Sequence, residues 1–198
     1  MSIAPNAMLN YPAYLAKAIT YADYRRNMGA EIASGVETST SAYLPLNESR
    51  MRRIEKTYAP GEVARSRVAA LSGPIDWLVL SEHWCGDAAQ ILPVMNALSA
   101  SSNGLLRLSL LYRDTDLDLM DAHLTGTSRA IPKLIQLNAG REVTATWGPR
   151  PAEAQALVMA FRKDPATAGE YKEPLHAWYA KDKQRSIERE LIALLPTS

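Results

Sequence analysis

Between Ile75 and Tyr112 the chain reads apolar, helical, apolar, and this order constrains the fold more than any other feature. Ile75 to Ser81 is short, apolar and preceded by the turn residues Ser72-Gly73-Pro74, the pattern of a strand buried on both faces. Cys85 to about Ser99 puts Ile91, Val94, Met95 and Leu98 on the inner side of a helix. Pro93 lies inside that helix, removes one backbone donor and predicts a kink. Ser101-Ser102-Asn103-Gly104 is a turn, and Leu105 to Tyr112 is a second apolar strand. Strand, helix and strand in succession imply a right-handed crossover between parallel neighbours, so the fold class is α/β.

The flanking segments supply the remaining layers. Pro132 to Leu137 and Glu142 to Trp147, separated by Asn138-Ala139-Gly140-Arg141, read as a hairpin. Ala152 to Arg162 reads as a helix with Ala156, Leu157, Ala160 and Phe161 inward. Upstream, Tyr11, Tyr14, Ala18, Tyr21, Met28 and Ile32 predict one helix over residues 10–33, stopped by Gly35, whose tyrosines pack on the core with their hydroxyls in water. Asn47 caps a second helix running to Tyr58, and a third runs from near Pro60 to Leu71. The arginines and lysine between Arg50 and Arg67 read as a solvated face offset by Glu48, Glu55 and Glu62. Asp114, Asp116, Asp118 and Asp121 have Leu119 and Thr125 where a calcium loop needs glycine and glutamate, so a helix start running to about Leu124 is expected. Glu173 to Leu195 carries an apolar stripe that suits packing against the N-terminal helices or a partner.

Composition narrows the class of function. The chain has 198 residues, 47% hydrophobic and 22% charged, with a formal net charge of +1, so its overall field gives no reason to expect nucleic acid. No apolar run reaches the roughly 18 to 20 residues of a membrane span. Met1 to Met8 lacks the basic segment and apolar core of a signal peptide. One cysteine allows no internal disulfide and fits a reducing, cytoplasmic setting. One cysteine and three scattered histidines have no metal-ligand spacing, and no metal or cofactor is expected.

That cysteine, Cys85, falls where the first strand ends and the helix begins. Unpaired N–H groups and the positive end of the helix dipole favour thiolate there, and the thiolate is the nucleophile. Asp87 cuts both ways, because its carboxylate suits the dipole but opposes a second negative charge on Cys85. His83 and Arg129 are the groups able to oppose it.

Trp84-Cys85-Gly86, with an apolar strand before it and Pro93 after it, resembles the active-site stretch of the thioredoxin superfamily. It is most similar to thioredoxin-like proteins that carry Trp-Cys-Gly-Asp-Ala-Ala-Gln and a helical N-terminal extension. The resemblance implies a thioredoxin-like fold, a central mixed sheet of about four strands flanked by helices, with helical N- and C-terminal extensions. The expected organisation is an extension over 1–73 packed on the core, a thioredoxin-like domain over 74–163 and a C-terminal helix over 164–198, forming one compact unit. It further implies that Cys85 is the nucleophile, with Trp84, Gly86 and Asp87 beside it. Ile131-Pro132 resembles the family's cis-proline motif, which faces the cysteine and leaves the Ile131 backbone as an edge for an extended substrate.

Two parts of the family's dithiol cycle are replaced: Ala88 stands at the resolving cysteine, and Val79 stands where the family often has a buried aspartate. The expected function is therefore monothiol redox chemistry on a protein thiol or disulfide, or on glutathione, with an external thiol resolving the mixed disulfide or sulfenic acid. The alternative is a non-catalytic module whose groove around Cys85, Ile131 and Pro132 binds a peptide or protein. A one-cysteine peroxiredoxin is disfavoured, since Glu82 replaces that family's threonine.

Overall fold

The computed structural model describes residues 9–196; Met1 to Met8, on which the signal-peptide expectation falls, lie outside the described residues. Four helices come first: α1 (Tyr11–Lys17), α2 (Tyr21–Ser34), α3 (Leu44–Thr57) and α4 (Glu62–Ala69). The crossover unit follows as β1 (Ile75–Ser81), α5 (Gly86–Ala100) and β2 (Leu106–Tyr112). A short α6 (Leu117–Ala122) leads to the hairpin β3 (Lys133–Leu137) and β4 (Val143–Trp147), and α7 (Ala152–Arg162), α8 (Lys172–Asp182) and α9 (Arg185–Ala193) complete the chain. The sheet order is β2-β1-β3-β4. β1 runs parallel to β2, with Val79 opposite Leu110, and antiparallel to β3, with Val79 opposite Leu134. The fold is thus α/β, a mixed four-stranded sheet flanked by helices and extended by helices at both ends. Among the described residues no helix is long and apolar enough to cross a membrane.

Every residue of β1 is buried, as a strand with helices on both sides requires. α5 is enclosed as well. Asp87 to Met95 are all buried, not just the four inward positions read from its periodicity. One side of α5 lies on the sheet, while α3, α4 and α9 cover the rest. Helices from both extensions therefore wrap the helix that begins beside Cys85.

The structure corrects several boundaries. The helix expected over 10–33 breaks at Ala18–Thr20, where Ile19 exchanges two 2.9 Å backbone hydrogen bonds with Leu110 on the outer edge of β2. That pairing satisfies an exposed strand edge, and Thr20 then caps α2 by accepting from the Asp23 N–H. Asn47 is no cap: α3 starts at Leu44, and Asn47 is fully buried with its amide donating to the His83 carbonyl at 3.0 Å. The single C-terminal helix is two, turned at Lys183 and Gln184, which have φ of 51° and 64°. The Asp182 carboxylate then accepts from the Ser186 N–H and hydroxyl and starts α9. On α7 the buried positions are Ala154 and Val158, so its inner face is rotated from the one expected through Ala156 and Ala160.

The N-terminal tyrosines pack as expected, but their hydroxyls are not left to water. Tyr14 donates to Asp118, and Tyr21 to Glu55 at 2.6 Å. The aspartates around α6 are spent in the same way: Asp114 pairs with Arg113, Asp116 with Lys17 and Asp121 with Arg129.

Candidate functional site

Cys85 is the N-cap of α5, and its sulfur accepts from the Ala88 N–H at 3.5 Å. The thiol donates to the Ile131 carbonyl at 3.3 Å. The cysteine motif and the Ile131-Pro132 step, 46 residues apart from Cys85 to Ile131, are thus in direct contact. The Ile131–Pro132 peptide is cis, as is Gly148–Pro149. Trp84 is half-buried, with the Arg113 guanidinium 5.1 Å from its ring centroid.

Gly148 holds this corner together. It has φ of +112°, and a Cβ there would overlap the Pro132 carbonyl oxygen. Gly148→Ala is therefore expected to lower stability by about 2–3 kcal/mol, from a forbidden backbone region and a clash with main chain. Chemical denaturation measures this; a loss below about 0.5 kcal/mol would show that the corner yields freely.

Cys85 is 6% exposed. Burial, and then the neighbouring Asp87 carboxylate, push its thiol up to about 12, against the pull of the Ala88 and Asp87 N–H groups and of Arg150. The acidic thiol that a helix N-terminus alone suggests is not what this environment makes. Desolvation outweighs the dipole.

Asp87 is itself buried. It forms an ion pair with Arg150 at 2.7 Å and accepts from the Tyr179 hydroxyl at 2.8 Å. Burial pushes its carboxyl up, opposed by Arg150 and Tyr179. The groups named from sequence as its counterweights are used elsewhere. His83 is a buried strut bonded to Glu31 at 2.6 Å and to the Tyr24 carbonyl at 3.1 Å, and Arg129 pairs with Asp121. Arg150 and Tyr179 were not legible as site residues. A signal for the first was its place in Gly148-Pro149-Arg150-Pro151, which follows the hairpin back toward Pro132. The second was a tyrosine in an apolar stripe, whose hydroxyl needs a partner when buried.

A cleft of about 440 Å³ opens over these groups. Besides Cys85, Gly86, Asp87 and Ile131, the extensions line it with Arg50 from α3 and His176 from α8. A Cβ on Gly86 would stand 3.4 Å from both the Arg50 Nη1 and the His176 Cε1, so both side chains lie over the first turn of α5. Burial and then Arg50 lower His176 to about 4, which makes it neutral near pH 7. Among the described residues, no three histidine, cysteine or acidic side chains are grouped to hold a metal ion.

The thioredoxin family model matches residues 35–166, from the end of α2 past α7. The chain belongs to the thioredoxin family. Its structural neighbours are far in sequence and bear on the fold alone. A crystal structure of a protein of unknown function from Pseudomonas aeruginosa aligns with a TM-score of 0.65 and 16% identity, covering 94% of this chain and 97% of that chain. An HIV epitope-scaffold aligns with a TM-score of 0.62 and 15% identity, over 94% and 97% of the two chains. No curated protein matches. Within the thioredoxin fold, this chain has a single cysteine and carries its site carboxylate on α5, at Asp87. Val79, at the β1 position where the resemblance implies an aspartate, is fully buried between Leu110 and Leu134.

Proposed function

We propose that the cleft over Cys85 performs monothiol exchange. The observation that carries this reading is the placement of the sulfur on the floor of an open cleft, capped by the Ala88 N–H and in contact with the Ile131 backbone. Cys85 is the nucleophile, Trp84 and Gly86 shape its surroundings, and Ile131-Pro132 forms the substrate edge. Asp87 is the proton acceptor. The buried site, with one guanidinium from Arg150, favours one negative charge over two or none, so the charge moves from the Asp87 carboxylate to the sulfur as the proton moves the other way.

The thiolate then attacks one sulfur of a substrate disulfide. A Cys85–substrate disulfide forms, the substrate's S–S bond breaks, and the departing thiolate takes the proton held by Asp87. With Ala88 in the resolving position, an external thiol completes the cycle. It attacks the substrate sulfur of the mixed disulfide, and Cys85 leaves as thiolate and is reprotonated. A reducing compartment such as the cytoplasm supplies that thiol.

The test is intact mass after incubation with excess hydroxyethyl disulfide at pH 7 to 9.5. One adduct, removed by dithiothreitol and absent in Cys85→Ser, is expected. No adduct at any of these pH values would refute exchange. The raised thiol supports a second reading, a peptide- or protein-binding module without turnover. On that reading no adduct forms, and Cys85→Ala leaves partner binding unchanged.

A further inference from the structure

We infer that the occupant of the cleft is a small organic anion, a thiol or disulfide compound carrying at least two carboxylates, rather than a protein surface. This deepens the exchange reading, on which the ligand's sulfur rests; its charge and size rest on the cleft itself. Arg50, Arg113, Arg129, Arg150, Arg162 and Lys172 line the cleft, and Asp87 is the one acid that does. The whole chain has a formal net charge of +1, so this concentration of positive charge is local. A concave site lined by one sign of charge focuses its field and raises the local concentration of counter-charged ligand.

Three of those cations are already matched: Arg113 by Asp114, Arg129 by Asp121 and Arg150 by Asp87. Among the described residues, Arg50, Arg162 and Lys172 have no carboxylate partner. Arg50 is the telling one. It is half-buried, and Asn47 accepts from its Nη1 at 2.9 Å while donating to the His83 carbonyl, which fixes the guanidinium over Gly86. There it faces the positive end of α5, and the Asp87 carboxylate is near enough to act on it. Half-buried and without an ion-pair carboxylate of its own, that guanidinium is well placed to take a ligand carboxylate in a bidentate pair. Burial and then Arg53 lower its ordinary basicity, against the pull of Asp87.

Arg162 and Lys172 are exposed and stand over tyrosine rings, Arg162 at 5.3 Å from Tyr171 and Lys172 at 5.7 Å from Tyr43. They supply a second, outer position for negative charge. Size favours a small molecule. The volume of about 440 Å³ falls in the usual range for small-ligand sites, whereas a protein partner would need roughly 800 Å² of surface on each side.

S-Methylglutathione tests this, because it has two carboxylates and no disulfide or thiol to exchange. Calorimetric titration into the full chain should show binding that weakens with salt, is lost with neutral 2-(methylthio)ethanol, and weakens roughly tenfold in Arg50→Gln. Arg162→Gln and Lys172→Gln, exposed and free of folding risk, should each weaken it several-fold. Equal titrations for the charged and neutral thioethers, or unchanged affinity in all three variants, would overturn the inference. Tighter binding of an acidic extended heptapeptide than of S-methylglutathione would overturn its small-ligand half. None of these outcomes depends on Cys85 reactivity, so failed disulfide exchange and failed anion binding are read separately.

Discussion

Arg150→Met is expected to lower stability by about 3–5 kcal/mol, the cost of leaving a buried charge without its partner. The Asp87 side chain is 9% exposed and its counter-charge is the Arg150 guanidinium at 2.7 Å. Without that guanidinium, Tyr179 is the remaining hydrogen-bond donor to the carboxylate from a side chain. The deficit has a definite pH dependence. Burial already holds the Asp87 carboxyl above its ordinary value, and removing Arg150 raises it further. A group whose folded pKa is raised stabilises fully below its unfolded value and loses that contribution as pH rises through the folded one. The variant should therefore gain on wild type as pH falls from 7 toward 4. Urea denaturation at pH 7 and 5 measures both effects. A deficit under about 1 kcal/mol at pH 7 would mean that Asp87 is not held as a buried ion. Asp87→Asn together with Arg150→Met should recover part of the loss, because no uncompensated carboxylate then remains.

Asp87→Asn is expected to accelerate alkylation of Cys85 by iodoacetamide at pH 7 by roughly a hundredfold, since a neighbouring charge shifts a pKa by about 1–3 units. Asparagine matches the protonated carboxyl in shape, so the variant holds the site in the state from which thiolate forms. Arg150 then faces the sulfur without a competing anion. In wild type, with the thiol pushed up to about 12, the rate should climb with pH and show no inflection below about 10. Equal wild-type and variant profiles would show that Asp87 does not keep the thiol protonated. An inflection near 7 in wild type would show that the helix end outweighs burial.

The parts of this fold legible in the sequence were those in which one local pattern meets one environment. Ile75 to Ser81 is a strand as read, because a continuous apolar run bounded by turn residues fits a strand buried on both faces. Ala152 to Arg162 is likewise the helix expected. Local pattern misleads where a distant segment supplies the environment. Asn47 looks like a cap but is drawn into the core by the His83 carbonyl, 36 residues away. Ile19 falls inside the helix expected over residues 10–33 but is taken by the edge of β2. The contact between Cys85 and Ile131 was accessible through the resemblance. The Asp87–Arg150–Tyr179 group was not, because Tyr179 is separated from Asp87 by 92 positions and lies in the C-terminal extension, on which the motif has no bearing.

The enclosure of α5 also determines how Cys85 meets oxidants. The helix is covered by the sheet and by α3, α4 and α9, and the sulfur keeps its small exposure where it lines the cleft. Peroxide and ligand must use the same opening. On the proposal of an anionic occupant, a filled cleft also shields the thiol, and protection from sulfenic acid formation follows the concentration of that occupant. The extensions that line this opening would then bear on the oxidation of Cys85 as well as on binding.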